Sequence, residues 1–469
     1  MPTSTPPSIS ATLAAFAAHL RDDDIPAAVR TRAKYLILDA AGIALASGPQ
    51  DYARAALAGL LEFGGGDSVV IGKRERLALR DAIVMNGVLV HGLDYDDTHS
   101  EGVIHSTAGC FPAALALAAQ VGATGKAFLT AYIVGTEIAA RLGMVARGAL
   151  HEAGFHPTGM LAAFASALIA GRLYGLSPEQ MVMARGLALS TGSSSSRQYN
   201  RDASGSKRLH PGWGAAAGVT AAALAKHGMT GPRAVYEGDY GLYPAHLGPR
   251  FKDADLPAAT AQLGSNWETL NVAIKPMPAC LHVHASVDAA AAIAAAHNLK
   301  PADIASIEVL IPHEAIAIVC EPAAMRRRPT SSYGAQFSLP YAIACGLVRR
   351  RFTLRELEPA AFNDPDLLAL AAKVGYAVDP DTEYPRYFSG ELRVRTTDGR
   401  ELRQREHINR GSAGRPLTAE DIAQKFSDNA ALATSTAHAT AIQSAILAVD
   451  DAATLDTLAA ALRAPNQDA

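Results

Sequence analysis

The stretch Asn86-Gly-Val-Leu-Val-His91-Gly-Leu-Asp94-Tyr-Asp96-Asp97-Thr98-His99, followed by His105-Ser-Thr, holds three aspartates and three histidines. Crowded carboxylates repel one another, so at least one keeps its proton to higher pH and can serve as an acid or a base. A solvated acidic loop or an Asp helix cap would give the same composition. A second pattern adds weight to chemistry. His105, His156 and His210 each stand just before an Ala/Gly-rich helical run: Phe111–Gln120, Met160–Leu173 and Ala215–Ala225. Helix starts expose N–H groups and a positive dipole end that favour an anion. A histidine there adds a donor or a proton carrier. The pattern predicts an anionic ligand handled by imidazoles.

Two lysines fit the same chemistry. Lys207 lies in Gly-Ser-Lys-Arg-Leu-His, just ahead of His210. Lys275 opens Lys-Pro-Met-Pro-Ala-Cys-Leu-His-Val-His, which leads to Cys280, His282 and His284. Most lysines are surface charges, but these two are embedded among histidines, prolines and glycines. The Cys280/His282/His284 group could also be a cysteine nucleophile or, in an extended chain, a metal site. Tyr199, in the Ser-rich stretch 193–204, and Tyr333 are further possible substrate contacts, although core or loop roles fit them better.

These residues need elements to hold them. Ala11–Leu20, Pro26–Ala46, Asp81–Val90, Gly125–Gly143 and Gly159–Leu173 read as helices. Several are apolar nearly all round, as in the middle of a bundle. Glu137 and Arg141 are spaced to pair on one helix face. The texture changes near residue 270. Ile307–Ile311 alternates and meets Pro312, as a strand would. Glu391–Arg395 and Arg400–Arg405 flank an Asp-Gly turn and predict a hairpin. Ser338–Leu347 is helical in pattern, and Thr418 caps a returning helix. The prediction is mainly α: an all-α helical domain from 1–269 and 406–469, and a smaller α/β (α+β) lid domain from 270–405.

Composition narrows the function classes. The chain has 469 residues, and 49% of them are hydrophobic, enough for a large core. The formal net charge of −3 argues against a nucleic-acid surface. No uninterrupted apolar run has the ~20 residues a bilayer span needs. The start, MPTSTPPSIS, reads as a short frayed tail and not as a signal peptide. The four cysteines, Cys110, Cys280, Cys320 and Cys345, form no C-x-x-C pair. That spacing excludes a zinc ribbon or thioredoxin motif and fits reduced thiols in the cytoplasm.

Taken in order, the segments resemble the MmgE/PrpD family. The matching pieces are Leu38-Asp39-Ala-Ala-Gly42, Asn86–Thr98, Gly154-Phe-His-Pro-Thr-Gly159 and Lys207-Arg-Leu-His-Pro-Gly212. Glu237-Gly-Asp-Tyr-Gly241, Lys275-Pro-Met-Pro-Ala-Cys280 and Gln336-Phe-Ser-Leu-Pro340 follow, so the resemblance covers nearly the whole chain. It implies the two-domain layout above, an active site between helical domain and lid, a homodimer, and no metal or organic cofactor. By position it implies that Asp94, Thr98, His105, His156, Lys207 and Lys275 are site residues. His105 or His156 would carry protons, Asp94 would tune one of them, and Thr98 would bind substrate with His210, Cys280 and His284. Lys207 and Lys275 would hold the negative charge that builds up next to a substrate carboxylate.

The family includes 2-methylcitrate dehydratase, cis-aconitate decarboxylase and iminodisuccinate epimerase. Cys280 stands where the decarboxylases carry a catalytic histidine, and the Asp94–His105 spacing is one residue longer than theirs. These departures favour a dehydratase-like hydro-lyase acting on a small di- or tricarboxylate. Decarboxylase-like or epimerase activity is the alternative, and a non-catalytic carboxylate-binding homologue is the alternative of another class. A metal-dependent hydrolase would need a bound ion.

Overall fold

The computed structural model describes residues 7–192, 195–199 and 204–464. The first residues of the frayed tail, and Ser193 and Ser194 of the Ser-rich stretch, lie outside the described residues. The chain is mainly α with a smaller α+β part. It divides into unit 1 (Met1–Gly92, Asp96–Val272 and Thr418–Ala469) and unit 2 (Leu93–Tyr95 and Ala273–Leu417).

Unit 1 is built around the helix Pro157–Leu173, buried over almost its whole length. It packs against Thr107–Gln120, Gly125–Ala146, Pro178–Thr191 and His210–Lys226. An apolar surface on every side leaves it no stable place but the centre. The closest partner is His210–Lys226. A methyl group on Gly214 or Gly218 would overlap the carbonyl oxygen of Gly159 or Ala163. Gly87, on Leu79–His91, meets Gly212 in the same way. These approaches bring the ends of three helices, and the histidines on them, close together.

Gly125–Ala146 alone among the described helices is long and apolar enough to cross a membrane, a length the uninterrupted-run criterion misses. Nearly all of it is buried inside the protein. It carries the Glu137–Arg141 pair at 2.7 Å. Glu137 also accepts from the Glu268 and Thr269 N–H groups at 3.1 and 3.0 Å. Arg141 donates to the Ala261 and Asn266 carbonyls at 2.5 and 2.6 Å. Each buried charge therefore has its bonds filled, the condition under which such a pair is tolerated. The chain end returns to unit 1 through Ala419–Ala430, capped by Thr418. Its Lys425 sits 2.6 Å from Asp39 on Ala27–Ser47.

Unit 2 has a four-stranded sheet in the order Val374–Val378, Ile304–Ile311, Gly390–Thr396, Glu401–Glu406. The first pair is parallel and the others are antiparallel. The hairpin turns at Asp398-Gly399, where Gly399 takes φ +89°. His284–His297 and Leu339–Arg349 complete the unit, and their apolar residues share one buried cluster with the sheet. Residues 406–417 group with this unit and not with the helices. The Ile274 N–H donates to the Gly411 carbonyl at 3.1 Å, and the Phe388 N–H to Asn409 Oδ1 at 3.1 Å. Leu93–Tyr95 groups here too, because Tyr95 donates to the Pro276 carbonyl at 3.2 Å and Gln336 donates to the Leu93 carbonyl.

Candidate active site

In unit 1 the three helix-start histidines come together, and His91 joins them. His91 is the last residue of Leu79–His91, His156 caps Pro157–Leu173, and His210 opens His210–Lys226. His105 lies two residues before Thr107–Gln120. The His91 ring lies 5.0 Å from that of His105 and stacks on His156 at 5.4 Å. His156 is 6.2 Å from His105 and 5.3 Å from His210. The Nδ1 atoms of His156 and His210 are 3.1 Å apart, so one donates to the other. Tyr199 rests edge-on against both rings.

Each imidazole is held by a different anchor. His91 Nδ1 donates to Asp96 Oδ2 at 2.7 Å, which leaves a buried Nε2 with no partner among the described residues. His105 Nδ1 donates to the Asp97 carbonyl at 2.6 Å, with Thr98 Oγ1 at 3.2 Å and Asp96 Oδ1 at 3.9 Å. This fixes the tautomer and makes Nε2 the nitrogen that can exchange a proton. The His105 N–H donates to Thr158 Oγ1 at 3.1 Å. His156 is buried, and its Nε2 also lacks a partner among the described residues.

Burial, and after it the charge of Lys207, holds His156 well below the usual imidazole range. His210 is brought down to about 4, chiefly by burial, then by His91 and Lys207. Both rings are therefore neutral near pH 7. Asp97 is pushed the other way, up to about 7, by burial and the neighbouring Asp96. Its carboxylate accepts from the Thr107 N–H and from the Ser106 and Thr107 hydroxyls. Asp97 thus occupies the start of Thr107–Gln120 that the sequence pattern offers to a ligand anion. A second tier of buried charge, Arg32, Asp39 and Lys425, lies near enough to influence the first.

Lys207, on the short turn Gly205–Leu209, is buried in the same unit. Thr98 is buried as well and reaches His105. His91, Asp96 and Asp97, from the same acidic stretch, join the site beyond the residues expected from the sequence. The five-residue step from the helix-ending His91 to Asp96 is the signal that could have found them. His99, from the same stretch, is instead tied to Glu268 at 3.1 Å and serves the fold. His91, Asp96 and His105 also place possible ligand atoms within 4.8 Å of one another, a spacing compatible with one divalent cation.

Unit 2 holds the remaining candidates. Lys275 is 2% exposed; its Nζ donates to the Asp94 carbonyl at 2.8 Å and lies 3.6 Å from Asp94 Oδ1. Asp94 takes φ +50°, a left-handed backbone that a non-glycine residue adopts at some strain. Cys280 is half-buried, and its N–H donates to the Gln336 carbonyl at 2.9 Å. His284 is fully buried at the first turn of its helix. Its Nε2 donates to the Ala279 carbonyl at 3.1 Å, which fastens the turn before Cys280. His282 packs between Tyr384 and Phe388 and is held down to about 4 by burial and Lys275.

Comparisons with known proteins place the chain in a family. Residues 11–254 match the MmgE/PrpD N-terminal domain and residues 277–451 match the MmgE/PrpD C-terminal domain. The chain is 26% identical to the "Cis-aconitate decarboxylase-like protein oryM" of Aspergillus oryzae, over 97% of both chains. It is 28% identical to a cis-aconitate decarboxylase of Aspergillus terreus, over 97% of this chain and 96% of that one. It is 29% identical to the cis-aconitate decarboxylase of Homo sapiens, over 76% and 73%. Because the two domain matches together span most of its length, in the expected order, this chain belongs to the MmgE/PrpD family.

Proposed function

We propose that the protein is a lyase for a small di- or tricarboxylate, working without metal or organic cofactor. Its favoured reaction is elimination of water from a citrate-type hydroxy acid such as 2-methylcitrate. The observation that carries this reading is the cluster of His91, His105, His156 and His210 beside the buried Lys207. Elimination needs a base for the carbon-bound proton and an acid for the departing hydroxyl. Neutral His156, with its unshared Nε2, suits the base. His105, with Asp96 3.9 Å away to support its charged form, suits the acid. Thr98 orients His105, and Lys207 and Lys275 offset the charge that builds up on the substrate carboxylate. Asp94 sets the position of Lys275.

Decarboxylation of cis-aconitate is the second reading, and the names of the relatives favour it. It needs only an acid that delivers a proton to carbon after carbon dioxide leaves. Cys280, in place of the histidine of the decarboxylases, weighs towards elimination. The free cysteines fit a reducing compartment such as the cytoplasm, and a homodimer is proposed on the resemblance.

A panel of citrate, 2-methylcitrate and cis-aconitate, followed by NMR, tests the reading. An alkene product with no carbon dioxide supports the hydro-lyase. Labelled carbon dioxide from cis-aconitate supports the second reading. Turnover of none of the acids would leave the non-catalytic carboxylate binder. Elemental analysis should find no stoichiometric metal. About one ion per chain, with activity lost on chelation, would assign His91, Asp96 and His105 to a metal centre instead.

A further inference from the structure

Arg326 begins the run Arg326-Arg-Arg328, yet it is 7% exposed while Arg328 is open to solvent. Its Nε donates to the Glu321 carbonyl at 3.0 Å. Its two terminal nitrogens hydrogen-bond to nothing among the described residues, and no carboxylate there forms an ion pair with it. The nearest acid in sequence, Glu321, is engaged elsewhere: its carboxylate accepts from the Ala323 N–H at 2.7 Å and from the Tyr376 hydroxyl. The groups that act on the Arg326 charge are Cys280, Tyr333 and Cys320. No carboxylate is among the three, and burial pushes the Cys320 thiol up to about 12, so it is no standing counter-ion.

A buried guanidinium without an anion is an expensive arrangement. Burial accordingly pulls Arg326 below the usual arginine range. The chain nevertheless fixes it in place. Ser338, in the Gln336-Phe-Ser-Leu-Pro340 segment, donates its hydroxyl to the Arg326 carbonyl. Gln336 of the same segment accepts from the Cys280 N–H and donates to the Pro278 carbonyl at 3.2 Å. One short segment therefore sets the positions of both Arg326 and Cys280.

We propose that Arg326 is a substrate-binding residue whose two terminal nitrogens take a carboxylate of the substrate beside Cys280 and Tyr333. This rests on the reading of the substrate as a polycarboxylate. A planar fork matches a carboxylate with two parallel bonds, which a lysine cannot copy.

The test is calorimetric binding of tricarballylate, a tricarboxylate with no hydroxyl to eliminate, and separately of sulfate. Wild type, Arg326→Lys, Arg326→Gln and the exposed control Arg328→Gln are compared, with thermal melts to check folding. Arg326→Gln should bind tricarballylate at least tenfold more weakly and Arg326→Lys severalfold more weakly, with partial rescue by free guanidinium. Arg328→Gln should match wild type. Equal affinity in wild type and both well-folded Arg326 variants would overturn the proposal. Sulfate binding that is lost in Arg326→Gln, with no polycarboxylate bound or turned over by wild type, would keep Arg326 as an oxyanion site and refute the substrate reading instead. Wild type that binds neither probe overturns both.

Discussion

In unit 1 the ionisable groups of the candidate site answer one another. His91 leans on Asp96, His156 on His210, and Asp97 on the start of a helix. Burial and mutual repulsion keep His156 and His210 neutral, while Asp97 holds its proton to about 7. In unit 2 the buried cations near the candidate residues are Lys275 and Arg326, and of these two, among the described residues, Lys275 has an acid beside it. Neutral imidazoles such as His156 and His210 can exchange protons but attract an anion weakly. Buried cations hold an anion well but are poor proton carriers near neutral pH. Under the proposed function, unit 1 would supply proton transfer and unit 2 charge binding, with Lys207 as the cation beside the imidazoles of unit 1.

Removing a proton carrier should separate these roles most sharply. His156→Gln should lower turnover by about 100-fold or more, as loss of a general acid or base does, and leave binding of a substrate analogue nearly unchanged. Steady-state rates and calorimetry on one preparation check both halves. Lys207→Ala and Lys275→Ala should each weaken turnover by about 2–4 kcal/mol, by analogy with a lost oxyanion donor. His151→Ala, on the short helix Ala149–Glu152, should change little. Wild-type rates in both lysine variants, or an equal loss in His151→Ala, would remove the contrast between carriers and cations.

A smaller effect tests the scaffold of unit 1. Gly87→Ala would force the backbone around Gly212 to move. It should destabilise the protein by about 1–3 kcal/mol, as overpacking does, and lower the rate by displacing His91 and His210. A chemical melt with unchanged midpoint would contradict the close approach.

A last test is stability against pH, where two groups pull in opposite directions. Unfolded histidine gains a proton below about 6.5, whereas folded His210 gains one only near 4. Stability from this group is therefore present above 6.5 and lost as pH falls towards 4. Asp97 runs the opposite way. Its proton is held to about 7 in the fold against 3.8 unfolded, so its contribution is present below 3.8 and lost as pH rises to 7. Melts from pH 4 to 7 should be shallower in acid for His210→Gln. Asp97→Asn should gain on wild type as pH rises. Parallel profiles for all three proteins would show that neither group is perturbed.

Much of this was legible in the sequence because it rests on local pattern. The buried helices, the Thr418 cap and the 391–405 hairpin follow from periodicity and turn chemistry, and the structure places them within a few residues of their expected bounds. Three helix starts of one type singled out His105, His156 and His210, but only the structure brings them together. Other features depend on contacts that no spacing records. Residues 406–417 join unit 2 through a few hydrogen bonds and an ion pair to segments distant in sequence. The helix start at Thr107 is filled by Asp97, from a loop whose path the sequence does not give. Arg326 cannot be told from Arg327 and Arg328 by pattern, because only the packing around Ser338 decides which of the three is buried.

The central claim is that the imidazole cluster of unit 1 transfers the substrate proton. Its most direct test is deuterium exchange at the acidic carbon of whichever acid the panel identifies, followed by NMR in heavy water for wild type and His156→Gln. Wild type should wash deuterium into recovered substrate or product, while well-folded His156→Gln binds the acid and exchanges at least about 100-fold more slowly. Exchange at the wild-type rate in His156→Gln would contradict the account.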